Sequence, residues 1–147
     1  MDFLKHYLDY FVFGILGLMS FLMLWMVIER YIFYARIKLE QYTHPDELYI
    51  VLTNHLTVLS SIGSNAPYIG LLGTVFGILI TFYDLGQANG KLDSAAIMTG
   101  LALALKATAV GLLVAIPAIL FYNALLRKVE VLTARWKHLN VPFPQNK

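Results

Sequence analysis

Three polar side chains in an otherwise apolar stretch have the types and positions needed for ion chemistry inside a membrane. Thr74 lies in an apolar run at residues 66–83, and Lys106 and Thr108 lie in another at residues 95–122. Lys106 is the only formally charged residue between Asp93 and Arg127. A lysine near the centre of a membrane helix costs about 2.5–3.5 kcal/mol on insertion scales, and intramembrane charges are functional by default. A threonine hydroxyl can both donate and accept a hydrogen bond. Together these residues predict a polar site at mid-membrane.

Lys106 has three possible roles at this stage. It lies eleven residues beyond Ala95, or about 16 Å along a helix. This is too deep for easy snorkelling to the interface, so we expect the ammonium to face protein or water. It could be the counter-ion of a partner's carboxylate, a titrating group that exchanges protons, or a structural charge in an interface. The threonines likewise have a structural alternative, a bond back to a carbonyl one turn earlier.

Small residues repeat at spacings of three and four along both apolar runs. Such residues let two helix backbones approach closely in lipid. The pattern predicts an oligomeric or partner-packed bundle, and Pro117 is expected to kink its helix or free a carbonyl group. The predicted packing residues are Gly70, Gly73, Gly77, Gly100, Gly111 and Pro117.

Composition identifies the class of protein. Of 147 residues, 59% are apolar and 14% are charged, whereas a soluble domain averages about 45–50% apolar and about 25% charged. The chain has no cysteine, and its four histidines show no ligand spacing, so we predict no metal site and no cofactor. A net charge of +2 is too small to indicate nucleic acid. No nucleophile–base pair or phosphate loop supports an enzyme.

The chain is predicted to be one all-α integral membrane domain with three spans. Residues 10–28 are uncharged over 19 positions, enough to cross the roughly 30 Å hydrocarbon core. A break at residues 43–47 is expected to precede an amphipathic helix over 48–62, and Pro67 is expected to open the second span. A polar turn is predicted at 84–93, and residues 142–144 should end regular structure. The predicted segments are spans at about 10–28, 66–83 and 95–122, a connection at 29–64 and a tail at 123–147.

Cation asymmetry predicts the orientation. The connection and the tail together carry eight Lys and Arg residues, whereas the other side carries Lys5 and Lys91. The positive-inside rule therefore predicts that the N-terminus lies outside and that the connection and the C-terminal tail lie in the cytoplasm.

The apolar spans contain no carboxylate. A protein that relays protons alone would normally place an acid or a histidine near the midplane. If ions move here, a partner must supply the acid. The nine acidic residues, all expected outside the spans, are Asp2, Asp9, Glu29, Glu40, Asp46, Glu47, Asp84, Asp93 and Glu130.

Two motifs carry a resemblance to a known family. APYIGLLGTVFG at residues 66–77 and ATAVGLLVAIPA at 107–118 are similar to the signature of the ExbB/TolQ/MotA proton-channel family. Three spans and a short connection resemble its ExbB/TolQ branch, and within that branch we expect an ExbB-like member.

The resemblance implies an inner-membrane subunit that assembles as a pentamer around the transmembrane helices of an ExbD-type dimer. Such a motor uses the proton gradient to energise a TonB-type protein, which opens outer-membrane receptors for scarce nutrients. In the family, threonines at the positions of Thr74 and Thr108 face the pore beside the partner's essential aspartate. Alternatives are a TolQ-like subunit of the Tol-Pal system, a non-conducting scaffold for the ExbD-type and TonB-type partners, and a self-sufficient cation channel, against which the missing acid argues.

One position departs from the family pattern. Members typically have a glutamate in the third span where this chain has Leu103, and a lysine follows three residues later at Lys106. The departure argues against a mechanism that needs a carboxylate from this subunit's own third span.

Overall fold

The computed structural model describes residues 2–140, which form α-helices and no strand. This confirms the all-α prediction. Three of the helices, α1 (Asp2–Arg36), α3 (Leu56–Gln87) and α4 (Ser94–Asn140), are each long and apolar enough to cross a membrane. A short 3-10 turn at Leu39–Gln41 follows α1. Helix α2 spans Pro45–Leu52, between α1 and α3 in the chain.

Helices α3 and α4 form a hairpin joined by a tight turn. Asn89 and Gly90 in this turn have φ angles of 53° and 73°, in the left-handed region that Gly and Asn adopt most easily. Helix α3 runs to Gln87, a little beyond the predicted end of the second span. Helix α4 passes Pro117 without a break and continues as one helix to Asn140, so the third span and most of the tail form a single rod.

Glycine allows the two arms of the hairpin to touch. A Cβ atom on Gly70 would lie 2.6 Å from the Ala107 carbonyl oxygen, and one on Gly111 would lie 2.7 Å from the Ala66 carbonyl oxygen. The Cβ of Ala104 occupies the space beside Gly77, 2.7 Å from where a second Cβ would be. The backbones therefore meet where any side chain would hold them apart.

Helix α1 packs across this hairpin with one apolar face. Its buried residues include Val12, Leu16 and Val27, and Val12 Cγ1 lies 3.0 Å from the position of a Cβ on Gly73. Near its beginning, Lys5 Nζ lies 2.8 Å from Asp84 Oδ2. The start of α1, the end of α3 and the start of α4 thus meet at one end of the bundle.

Three side chains hold the connection against the opposite end of the bundle. Arg30, which is 3% exposed, donates from Nη1 to the Val51 carbonyl at 2.9 Å. The Tyr34 hydroxyl donates to the Leu52 carbonyl. Trp136 Nε1 donates to the Tyr42 carbonyl at 2.9 Å. We call Arg30, Tyr34 and Trp136 the connection clamp.

The clamp explains where the helix boundaries differ from those predicted. The amphipathic helix expected over 48–62 is interrupted at His55, whose φ is 67°. Helix α2 ends at Leu52 because Arg30 and Tyr34 satisfy carbonyl groups in its last turn, a role that local sequence does not reveal. Helix α3 then starts at Leu56, so Pro67 lies inside it and not at its start. The residues predicted to end regular structure, 142–144, lie outside the described residues.

Candidate ion-pathway site

The hydroxyl groups of Thr74 and Thr108 meet at the centre of the α3–α4 hairpin. Their Oγ1 atoms are 2.5 Å apart. Thr74 is 6% exposed and Thr108 is half-buried. Glycine and alanine in the facing helix let the two hydroxyls come this close, since Gly70, Gly77 and Ala104 lie beside them in the same contact. We call Thr74 and Thr108 the threonine pair.

The hydrogen bonds of the pair have a direction. Thr74 Oγ1 lies 2.9 Å from the Ala104 carbonyl oxygen and 3.3 Å from the Gly70 carbonyl oxygen. Carbonyl oxygens only accept, and a hydroxyl has a single proton. Thr74 therefore donates towards these carbonyls and accepts from Thr108. The shorter of the two carbonyl contacts crosses between helices, so the bond of Thr74 within its own helix is the secondary one.

Thr108 keeps acceptor capacity at the surface of the hairpin. Its proton goes to Thr74, and this donation uses neither lone pair of its oxygen, so a lone pair remains to accept a hydrogen bond. Because the side chain is half-buried, this lone pair is available to a group outside the chain. A protonated carboxyl could donate to it. A carboxylate could instead accept the Thr108 proton after the hydroxyl rotates.

The Lys106 side chain packs against α1, whereas the threonine pair lies between α3 and α4. Its Nζ atom is 5.7 Å from the centroid of the Phe13 ring on α1, within the range of a cation–π contact. Its side chain is exposed in the single chain. Thr108 contacts α3, and at 100° per residue Lys106 points about 160° away from it. The structure therefore brings Thr74 and Thr108 together and leaves Lys106 apart from them, beside α1.

The remaining predicted residues occupy packing positions within the chain. Gly70, Gly73, Gly77 and Gly111 contact a neighbouring helix where a Cβ would stand. A Cβ on Gly100 would lie 2.8 Å from the hydroxyl oxygen of Thr81. Pro117 is half-buried inside α4.

Sequence reasoning missed the connection clamp and the position of Asp9. The sequence predicts Arg30 to be an ordinary cation at the membrane interface. Its buried contact with Val51 forms only because α2 folds back against α1. Asp9 lies one turn beyond Lys5 on α1, beside α3 and α4. The length of α1, which begins well before its apolar run, was the available signal for this position.

The fold and the site define a multi-pass helical membrane protein with a polar contact inside its central hairpin. The chain belongs to the MotA/TolQ/ExbB proton channel family, which matches residues 28–138. It is 56% identical to a biopolymer transport protein ExbB of Helicobacter pylori, over 93% of this chain and 94% of that protein. It is 46% identical to the ExbB of Aquifex aeolicus, over 95% of this chain and 94% of that protein. A Tol-Pal system protein TolQ of Pseudomonas aeruginosa is 42% identical over 55% of this chain and 35% of that protein.

Proposed function

We propose that this chain is the ExbB-type subunit of a proton-driven biopolymer transport system of the inner membrane. The observation that carries the proposal is the directed hydrogen bonding of the threonine pair, in which Thr108 donates to Thr74 and keeps an acceptor for a group from outside the chain. Full-length similarity to ExbB proteins supports the ExbB type over the TolQ type, since the similarity to TolQ covers 55% of this chain.

In this proposal an ExbD-type partner supplies a transmembrane aspartate to the surface of the hairpin. When that aspartate is ionised, Thr108 rotates and donates to it. When it is protonated, Thr108 accepts from it and again donates to Thr74. The pair thus stabilises both protonation states of the partner's acid. Alternation between the two states lets the proton gradient drive motion of the partner, which a TonB-type protein transmits to outer-membrane receptors.

The same proposal explains the exposed apolar surface of the chain by assembly with other subunits. Large apolar side chains on all three long helices face outward in the single chain, including Phe21, Phe82 and Leu113, each more than half exposed. Lipid covers part of this surface. Neighbouring subunits of a homopentamer and the helices of the ExbD-type partner cover the rest.

Lys106 is proposed to hold an acceptor from another chain. Within residues 2–140 no ion pair engages its ammonium group, and an unpaired charge at this depth is costly. Its place beside Phe13 puts it at the α1 side of the bundle, where a neighbouring subunit or the partner helix can reach it. The charge then contributes to the assembly or to the partner's aspartate.

Uptake of a TonB-dependent nutrient tests the proposal. Cells that lack their own ExbB-type subunit are given the wild-type chain, Thr74→Val or Thr74→Ser at matched levels. We expect Thr74→Ser to restore uptake and Thr74→Val to fail, because valine has the shape of threonine without the hydroxyl. Normal uptake with Thr74→Val, with the partner present at its usual level, would instead support a non-conducting scaffold.

A further inference from the structure

A cleft opens between the first turns of α1 and the α3–α4 hairpin. It has a volume of about 490 Å³, enough for on the order of ten water molecules. Its polar lining residues are Lys5, His6, Asp9, Thr81 and Thr99.

The cleft runs towards the threonine pair. It is lined by α4 from Ala95 to Ala104, which spans about 14 Å along the helix. The carbonyl group of Ala104, at the inner end, accepts the hydrogen bond from Thr74. The inner end of the cleft is therefore one hydrogen bond from the pair.

Asp9 lines this cleft with a side chain that is exposed in the single chain, and it lies on α1 beside the hairpin. Val12 packs against Gly73, next to Thr74 in the chain, and Asp9 lies three residues earlier on α1, about 4.5 Å along the helix. Lys5 and its partner Asp84 lie one turn further out. Asp9 therefore lies nearer to the threonine pair than Lys5 and Asp84 do.

The charged neighbours of Asp9 leave its carboxylate available. The Lys5 ammonium is engaged by Asp84 at 2.8 Å, and His6 lines the same cleft. No hydrogen bond or ion pair within residues 2–140 engages the Asp9 carboxylate.

We propose that the cleft is a water-filled proton route from the outer side of the membrane and that Asp9 is its proton-collecting group. The proposal rests on the proposed function. The Asp9 carboxylate takes a proton from hydronium, which leaves a carboxylic acid and a water molecule. The acid then returns the proton to water deeper in the cleft, beside the threonine pair.

The water content of the cleft can be tested with single cysteines, since the natural chain has none. Leu103→Cys and Thr99→Cys replace residues that line the cleft. Phe11→Cys is the matched control, because Phe11 is 67% exposed at a similar depth and points about 160° away from Asp9 around α1. A charged, membrane-impermeant thiol reagent is added outside spheroplasts. We expect labelling of both cleft variants and little labelling of Phe11→Cys; protection of Leu103→Cys overturns the proposal.

The role of Asp9 is tested by nutrient uptake and by proton flux into vesicles that hold the assembled complex. We expect Asp9→Asn to lower both by at least about tenfold and to change the dependence of flux on external pH, while Asp9→Glu keeps most of both. Asp46→Asn removes an exposed carboxylate from α2, at the opposite end of the bundle, and should leave both unchanged. Wild-type uptake and flux with Asp9→Asn overturn the proposal.

The two hypotheses fail in different ways. Normal uptake with Asp9→Asn but none with Thr74→Val contradicts the cleft route alone. Normal uptake with Thr74→Val contradicts the proposed function itself, whatever the labelling of the cleft.

Discussion

The hydroxyl oxygens of Thr74 and Thr108 lie 2.5 Å apart across the contact between α3 and α4. The two residues are separated by more than thirty positions in the sequence, and the contact exists only because glycines bring their helices together. Packing and polar chemistry are therefore properties of the same few turns of helix. A change to either one should affect the other.

The first prediction concerns the glycines at the crossing of the hairpin. Gly70→Ala should lower the free energy of unfolding by about 1–3 kcal/mol, because its Cβ would lie 2.6 Å from a backbone oxygen that cannot move alone. Thermal unfolding of the purified complex measures the change. The control is Gly86→Ala, which has no atom within 4 Å of the added Cβ and should not be destabilised. Equal melting temperatures for Gly70→Ala and the wild type would mean that the hairpin is packed less closely than described.

A second prediction concerns the connection clamp. Tyr34→Phe removes the donor to the carbonyl of Leu52, which is fully buried, and leaving such a group unsatisfied costs about 1–3 kcal/mol. The connection should loosen, so trypsin should cleave the complex faster after Lys38, which is exposed. Tyr49→Phe is the matched control because Tyr49 is 55% exposed on α2. If both variants are cleaved at the wild-type rate, the clamp does not hold the connection.

The orientation of the chain gives a third prediction. A cysteine at Asn89, in the turn between α3 and α4, should react with an impermeant reagent added from the periplasm. A cysteine at Thr43, in the connection, should react only after the cells are opened. The basis is the excess of Lys and Arg in the connection and the tail. The opposite labelling pattern would reverse the proposed topology, and with it the side from which the cleft fills.

Lys106 provides the fourth prediction. If its charge holds a partner's acid, Lys106→Arg should keep part of the nutrient uptake and Lys106→Met should abolish it while the complex still assembles. If the lysine only stabilises an interface, Lys106→Met should be tolerated, because an apolar residue of similar length often replaces a buried charge without loss when no opposite charge is stranded. Uptake at matched expression separates the two roles. Normal uptake with Lys106→Met would exclude the role of Lys106 as a counter-ion for the partner's acid.

Much of the architecture could be predicted from the sequence, because membrane helices carry strong local signals. The uncharged run at 10–28 and the Asn89–Gly90 turn each follow from a few adjacent residues. The small residues at positions 70 and 111 likewise predict the close helix contact that the structure shows. The resemblance to the family predicts Thr74 and Thr108 as site residues, and their hydroxyl groups are in contact in the structure.

The remainder depends on contacts between distant segments. The end of α2 is set by Arg30 and Tyr34, which lie 21 and 18 residues before their acceptors. The depth of Asp9 depends on the register of α1 against α3, which the apolar run of α1 alone does not define. The sequence groups Lys106 with the threonines because all three are polar at mid-membrane, but the contact of Lys106 with Phe13 shows that depth does not determine direction around the helix.

Proton flux through the assembled complex tests the central claim most directly. The chain and its ExbD-type partner are reconstituted into vesicles with a pH-sensitive dye inside, and a proton gradient is applied. Thr108→Val removes the hydroxyl at nearly constant shape, and Thr108→Ser keeps it. Our account predicts that Thr108→Val lowers the flux by about tenfold or more while Thr108→Ser keeps most of it, since a positioned proton-transfer group contributes at least this much. Wild-type flux through an intact Thr108→Val complex would contradict it.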